Sequence, residues 1–251
     1  MQFDQIGKLI RMTKLSDFIA SHRDRFDWKE NNIFAFSWAK VTRRLEFLAV
    51  IESRYRELSA AFIANSEATR ALAKPGTHPV TAEQAALHQQ GYQLGIQVHL
   101  EIEAWYLFAK IVLDDVARAV EYYFGPARGL ALDSHDDLCA RIEKYVEAKS
   151  LTVETELLAK AAELKRRISD IRDYQISHEK SPRTMQGTTW SGAGGVCIQL
   201  GRLFPKESEM PVQTEDLIEL RTELERYLDL VVAFVEGNES KSRLALAPIK
   251  E

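Results

Sequence analysis

The chain is poor in cysteine, glycine and proline. Cys139 and Cys197 are its only cysteines, and they lie far apart without CxxC spacing, so the sequence indicates neither a disulfide framework nor a zinc site. We therefore expect a reducing, cytoplasmic environment. Only 12 glycines and 7 prolines interrupt the 251 residues, and long stretches contain no helix breaker. This composition favours an all-α fold.

Long hydrophobic runs are also missing. No apolar run reaches the roughly 18 residues that a membrane-spanning helix requires. The N-terminus carries Asp4 and lacks the compact apolar region and small-residue cleavage site of a secretion signal. We therefore expect neither membrane association nor secretion. With 45% apolar residues, the chain is long enough to bury a sizeable core.

Apolar residues recur at helical spacing along most of the chain. Thr81, with Gln84 three residues later, predicts the start of a long helix that Gly125 and Pro126 stop. The predicted helices span residues 3–23, 33–74 as one helix or two, 81–124, 135–149, 214–236, and a stretch that starts at 153 and carries the motif described below. These long helices predict a helical bundle.

A different pattern occupies residues 188–203. Two short segments, 188–190 and 196–203, flank the glycine-rich stretch 191–195, which is typical of two strands joined by a turn. The stretch matches neither GxGxxG nor GxxxxGK, so we interpret its glycines as turn residues and not as a phosphate loop. We predict a small β-hairpin insertion near the motif.

The segment that carries chemistry is Ile171–Arg172–Asp173–Tyr174–Gln175–Ile176–Ser177–His178 at the end of an amphipathic helix. Arg172 offers a permanent cation with a planar fork of donors for phosphate oxygens. His178 titrates near neutral pH and can move a proton to or from a ribose hydroxyl. Arginine, a polar neighbour and histidine together can process a phosphodiester without a metal.

Arg172, Asp173 and His178 resemble the R-x(4-6)-H signature of the HEPN superfamily. The resemblance is at the level of the motif and the helices around it, and covers residues 80–237. It implies a dimeric helical bundle, and in many members a metal-independent endoribonuclease whose active site is completed across the dimer interface. We accordingly expect an N-terminal helical extension at 1–79, the HEPN-like bundle at 80–237 and a mobile tail at 238–251.

The resemblance also implies roles for the motif residues. His178 would act as general base on a ribose 2′-hydroxyl or as general acid on the leaving oxygen, and Arg172 would stabilise charge on the phosphorane. Asp173 would orient either of them. The implied settings are phage defence or a toxin silenced by an antitoxin or other regulatory protein. Members controlled by nucleotidylation carry tyrosine two residues after the histidine, where this chain has Lys180, so we do not expect that regulation.

Helix geometry adds a condition to the site. Six residues of a regular helix turn by about 600°, which leaves Arg172 and His178 about 120° apart. Either the helix frays between them or the pair converges across a two-fold axis. A composite site tolerates the second arrangement, so we predict a homodimer.

The motif lies in a basic strip of an acidic protein. Residues 160–183 contain seven cations and four carboxylates, a net charge of plus three, whereas the whole chain carries minus four. Such a strip can steer RNA towards the site. We expect the RNA contacts to come from Arg166, Arg167, Lys180 and Arg183.

Other motif matches are weaker. Arg128 and His135 also fit the spacing, but Ser134 with Asp137 three residues on reads as a helix N-cap, so we assign that match to a capping loop. No histidine has a glutamate three residues before it, which excludes a di-iron bundle. His99 and Glu103 share a helical face and could hold one metal ion, but such a lone pair is more often hydrogen-bonded or exposed. We expect no metal and no cofactor.

A function of another class stays open. A non-catalytic, dimeric helical scaffold or sensor could bind a nucleotide, an RNA or a protein through the same cleft. On either hypothesis the N-terminal helices would serve as a recognition or dimerisation arm.

Overall fold

A computed structural model describes residues 14–23, 28–73, 78–173, 188–192, 195–200, 212–213 and 217–244. Within these ranges the chain forms six α-helices. They are α1 (Lys14–Arg23), α2 (Trp28–Ala71), α3 (Ala82–Phe124), α4 (His135–Lys149), α5 (Thr155–Leu164) and α6 (Leu217–Gly237). A π-helical segment, Lys165–Ser169, follows α5 directly, and a 3₁₀ turn, Glu239–Lys241, follows α6. The predicted all-α fold is confirmed.

Three short strands lie between the motif and α6 in the sequence. β1 (Thr188–Gly192) pairs antiparallel with β2 (Gly195–Leu200), with Thr188 opposite Gln199. β3 (Val212–Gln213) pairs antiparallel with the end of β2. The sheet order is therefore β1-β2-β3.

Local sequence signals set the bounds of the long helices. The Thr81 side chain accepts a hydrogen bond from the Gln84 backbone N–H at 3.2 Å, and the Gln84 side chain accepts one from the Thr81 N–H at 3.0 Å. This reciprocal pair satisfies two N–H groups at the start of α3, as predicted. α2 is one helix of 44 residues because it contains neither glycine nor proline.

The chain divides into two compact units. One comprises Met1–Ala49, Tyr106–Arg172 and Glu219–Glu251, and the other comprises Val50–Trp105 and Asp173–Ile218. The boundaries fall inside α2, α3 and α6 and directly after Arg172. The domain boundaries expected at residues 79 and 237 remain a prediction.

Aromatic side chains fill the core of the first unit. Phe18 meets Trp38 edge to face, with ring centroids 5.6 Å apart. The Tyr145 hydroxyl donates to the Gly125 carbonyl at 2.7 Å, where the chain leaves α3. α6 buries an apolar stripe whose members are Leu220, Leu224, Tyr227, Leu228, Val231 and Val235. Burial of this stripe attaches α6 to the core.

In the second unit, the later part of α2 pairs with the earlier part of α3. Trp105 Nε1 donates to Glu52 Oε1 at 3.4 Å, and Arg54 forms an ion pair with Glu101 at 2.6 Å. Towards the other end, Asn65 Nδ2 donates to the Leu87 carbonyl at 3.1 Å. In these three contacts, a higher residue number in α2 goes with a lower residue number in α3. The two segments are therefore antiparallel.

Among the helices of the described ranges, none combines the length and the apolar character needed to cross a bilayer.

Candidate functional site

The helix that carries the motif packs through one apolar face. Leu157, Ala161, Leu164, Ile168 and Ile171 are all buried. Their spacing matches the stripe predicted for this helix, although α5 begins at Thr155, two residues later than expected. Since Ile171 ends the stripe, Arg172 lies directly beside the core, as predicted.

The end of this helix is wound more loosely than an α-helix. At Lys165–Ser169 the backbone is π-helical, and the Asp170 N–H donates to the Lys165 carbonyl five residues earlier. Residues five apart in an α-helix point about 140° away from each other. The π turn instead allows Lys165 Nζ to reach Asp170 Oδ1 at 2.6 Å. The sequence predicts a regular helix here and not a π turn.

The structure places two of the three predicted catalytic residues. Arg172 and Asp173 follow the π turn, and both side chains are half-buried. The Arg172 Nε atom is buried. His178 lies outside the described residues, so its approach to Arg172 remains a prediction.

The predicted RNA-binding residues differ in their surroundings. Arg166 is exposed. Arg167 is 18% exposed and donates to Glu163 at 3.0 Å and to Glu219 of α6 at 3.0 Å. Lys180 and Arg183 lie outside the described residues. Acidic groups therefore already hold part of the basic strip.

A charged network at the base of the motif helix was not predicted from the sequence. Lys110 of α3 contacts Asp114 at 2.8 Å and Asp136 of α4 at 2.7 Å. Asp136 also contacts Lys165 at 3.3 Å, and Lys165 contacts Asp170. The network thus links α3 and α4 to the π turn that precedes Arg172. The ion pairs that join different helices connect residues far apart in the sequence. No local sequence pattern therefore reveals the network.

Opposing effects act on the pKa of Lys110. Burial by itself would lower this pKa, but the hydrogen bonds to Asp114 and Asp136 outweigh burial and leave the pKa raised. The pKa of Lys165 is also raised, chiefly by the hydrogen bond to Asp170. Both ammonium groups therefore stay charged at neutral pH.

His135 has a structural environment. It is the first residue of α4, fully buried, and its ring meets Tyr227 edge to face at 5.5 Å. Burial, aided by the charge of Lys110, lowers its pKa to about 3, so the ring is neutral at pH 7. Ser134 caps α4 by accepting from the Asp137 N–H at 3.1 Å, as predicted. Of the second motif match, Arg128 is exposed and His135 is buried, so the two side chains lie in different environments.

His99 and Glu103 line a surface groove of about 580 Å³ in the second unit. Burial lowers the pKa of His99 and raises that of Glu103. Within the described ranges, no three His, Cys, Asp or Glu side chains are grouped so that they could hold a metal ion. The pair is thus part of a largely apolar surface.

Comparison with known proteins identifies no relative. No family model matches the chain, and neither the curated proteins nor the solved structures contain a significant match.

Proposed function

We propose that the protein is a HEPN-like, metal-independent endoribonuclease that acts as a homodimer. The observation that carries the proposal is the support beneath Arg172. The motif helix is buried up to Ile171, and the preceding π turn is tied by Lys165 to Asp136 and Asp170. A cation that must meet a phosphate at a defined position benefits from such a fixed base.

In the proposed reaction, a ribose 2′-oxygen attacks the adjacent phosphorus and the 5′-oxygen of the next nucleotide leaves. His178 accepts the 2′-hydroxyl proton or donates a proton to the leaving oxygen, and Arg172 stabilises the phosphorane. Asp173 orients one of these two side chains. The products carry a 2′,3′-cyclic phosphate and a 5′-hydroxyl.

RNA would follow the basic strip to the site. Arg166 is exposed and supplies a contact directly, whereas Arg167 would exchange Glu163 or Glu219 for a phosphate. Lys180 and Arg183 complete the proposed path. Phosphate contacts of this kind weaken as the salt concentration rises, so the affinity for RNA should fall steeply with salt.

The proposal also includes the predicted hairpin insertion beside the motif and a cytoplasmic role in phage defence or in a toxin-antitoxin pair. An antitoxin or another regulatory protein would then be a partner of the dimer.

Cleavage of a structured RNA in the presence of EDTA tests the proposal. Wild-type protein should cleave it, and Arg172→Ala and His178→Ala should each lower the rate by at least about 100-fold, the scale of one general acid-base or oxyanion-type contact. Arg128→Ala and His88→Ala are matched controls because both residues are exposed and outside the motif. Equal cleavage by all five proteins would refute the assignment.

The ion pairs support a second candidate function. Because Arg167 and Lys160 are already held by acidic groups, the strip also suits a non-catalytic scaffold or sensor that binds a nucleotide, an RNA or a protein. Binding of RNA by wild type without any cleavage would favour that function.

A further inference from the structure

The first half of α3 exposes large apolar side chains in a row. Tyr92 is 68% exposed, Ile96 48% and Leu100 58%. The three lie four residues apart and therefore on one side of the helix. Val98 and Ile102, on the opposite side, are fully buried. A contiguous apolar row on a surface is typical of an interaction site, whereas single exposed apolar residues are not.

The row borders the surface groove. Phe62 of α2 forms one wall, and Gly91 and Gly95 add no side chains that would fill the groove. All three residues of the row line the groove, and His99 and Glu103 line it as well. Glu103 lies within about 20° of the direction of Ile96 around the helix axis. We call Tyr92, Ile96, His99, Leu100 and Glu103 the α3 seam.

The seam has the spacing of a helix-helix interface. Tyr92, Ile96, His99 and Glu103 of the seam, together with Gln89 just before it, are separated alternately by three and four residues. This alternation keeps one face of a helix in contact with a second helix that packs alongside it. The expected occupant is therefore a helix and not a compact small molecule.

The polar end of the seam limits which helix fits. No described residue forms an ion pair or a hydrogen bond with the Glu103 carboxylate, although burial raises its pKa. His99 has a lowered pKa and is neutral at pH 7. An occupant should consequently bring apolar side chains to the centre and a hydrogen-bond donor to Glu103.

We propose that the occupant is the α3 seam of a second copy of this chain, packed antiparallel about a two-fold axis at Ile96. In this arrangement Ile96 meets Ile96, and Tyr92 meets Leu100 of the other copy, because each lies four residues from the axis. Glu103 meets Gln89, an exposed amide that donates a hydrogen bond to a carboxylate. No like charges face each other, so the surface is complementary to itself.

The size of the seam sets the expected affinity. Tyr92, Ile96 and Leu100 together offer roughly 350 Å² per copy, from their exposed fractions and about 200 Å² for a large side chain. Stable interfaces bury about 800 Å² per partner. The three side chains supply less than half of that area, so we expect weak self-association, to which the flanking surface of the helix also contributes.

This interface is independent of the proposed nuclease. The interface uses none of the motif residues. The tests below can therefore refute the interface even if RNA cleavage is observed, and can support it even if the protein cleaves no RNA.

Site-specific cross-linking of the full chain tests the interface. Facing helices with axes 8–10 Å apart bring central Cα atoms to about 5 Å, within disulfide range. On oxidation, Ile96→Cys should give a disulfide-linked dimer, because the residue faces its own copy at the axis. Val50→Cys is the matched control, since Val50 is 44% exposed and outside the seam. Both variants retain Cys139 and Cys197, so wild type sets the background.

Sedimentation supplies the second arm. Ile96→Glu should abolish the association step that the seam forms, seen as loss of the largest species of the wild type, while Val50→Glu should leave the species distribution unchanged, with helicity checked by circular dichroism. A cross-linked yield from Ile96→Cys no higher than from Val50→Cys would overturn the proposal. Unchanged self-association of Ile96→Glu, or a wild type that stays monomeric at 100 μM in sedimentation, would overturn it as well.

Discussion

Replacing Gly91 by alanine would place a methyl group against Asn65, at a close contact between α3 and α2. A Cβ atom at this position would lie 2.6 Å from Asn65 Oδ1. The Asn65 amide cannot easily turn aside, because its Nδ2 atom donates to the Leu87 carbonyl at 3.1 Å and to Gln90 Oε1 at 3.3 Å. The oxygen and the nitrogen belong to one rigid plane, so moving the first breaks the bonds of the second.

The magnitude follows from three contributions. Alanine favours the helix over glycine by about 1 kcal/mol. Overpacking at the contact costs about 1–3 kcal/mol, and each lost hydrogen bond costs about 1 kcal/mol. With both hydrogen bonds of Asn65 Nδ2 lost, Gly91→Ala should therefore lower the free energy of unfolding by about 2–4 kcal/mol.

Gly95 provides the matched control on the same helix. A Cβ atom there would lie 3.8 Å from Phe62 Cε2, an ordinary van der Waals contact. Gly95→Ala should therefore raise the free energy of unfolding by up to about 1 kcal/mol. Urea unfolding followed by circular dichroism at 222 nm measures both variants.

A double-mutant cycle isolates the cause. In an Asn65→Ala background the obstructing oxygen is gone, so Gly91→Ala should stabilise the protein and no longer destabilise it. If Gly91→Ala stabilises the wild-type chain as much as Gly95→Ala does, the assigned contact between the helices is wrong.

Three further predictions concern the first unit. Lys110→Met should lower the free energy of unfolding by about 1–3 kcal/mol in urea titrations, because Asp114 loses its partially buried cation while Asp136 keeps Lys165. Arg226→Met, which breaks an exposed ion pair, should change it by less than about 1 kcal/mol. The pKa of His135 is about 3 in the folded protein and 6.5 in the unfolded chain, so the unfolded chain binds the proton first as the pH falls. The free energy of unfolding should therefore drop by up to about 1.4 kcal/mol per pH unit between pH 6.5 and 3. His135→Gln should flatten this slope. Asn238→Ala should cost about 2–3 kcal/mol, measured by thermal unfolding, because it removes hydrogen bonds of 2.7, 2.8 and 2.8 Å to Thr152 and Phe234.

The helices were predictable where neighbouring residues determine them. Thr81 and Gln84 satisfy the first N–H groups of α3 by themselves, and Gly125 with Pro126 ends that helix whatever surrounds it. Ser134 caps α4 in the same local way. Interactions within a few residues appear directly in the sequence, so these bounds needed no tertiary information.

The supports of the motif could not be predicted in this way. At the π turn, Lys165 pairs with both Asp170 and Asp136, and Asp136 belongs to another helix. Arg167 is held by Glu219, 52 residues away in the chain. A count of charges shows a basic strip but not which acids meet it in the fold. The roles of the motif residues themselves remain predictions from the sequence.

Mixing two inactive variants tests the composite nuclease site most directly. If each site takes Arg172 from one protomer and His178 from the other, Arg172→Ala and His178→Ala should each be inactive alone. After the two are mixed and allowed to exchange subunits, each heterodimer contains one intact site, so RNA cleavage in EDTA should recover to as much as a quarter of the wild-type rate at equal concentrations. Full cleavage by either variant alone, or an inactive mixture in which heterodimers are demonstrated, would contradict the composite site.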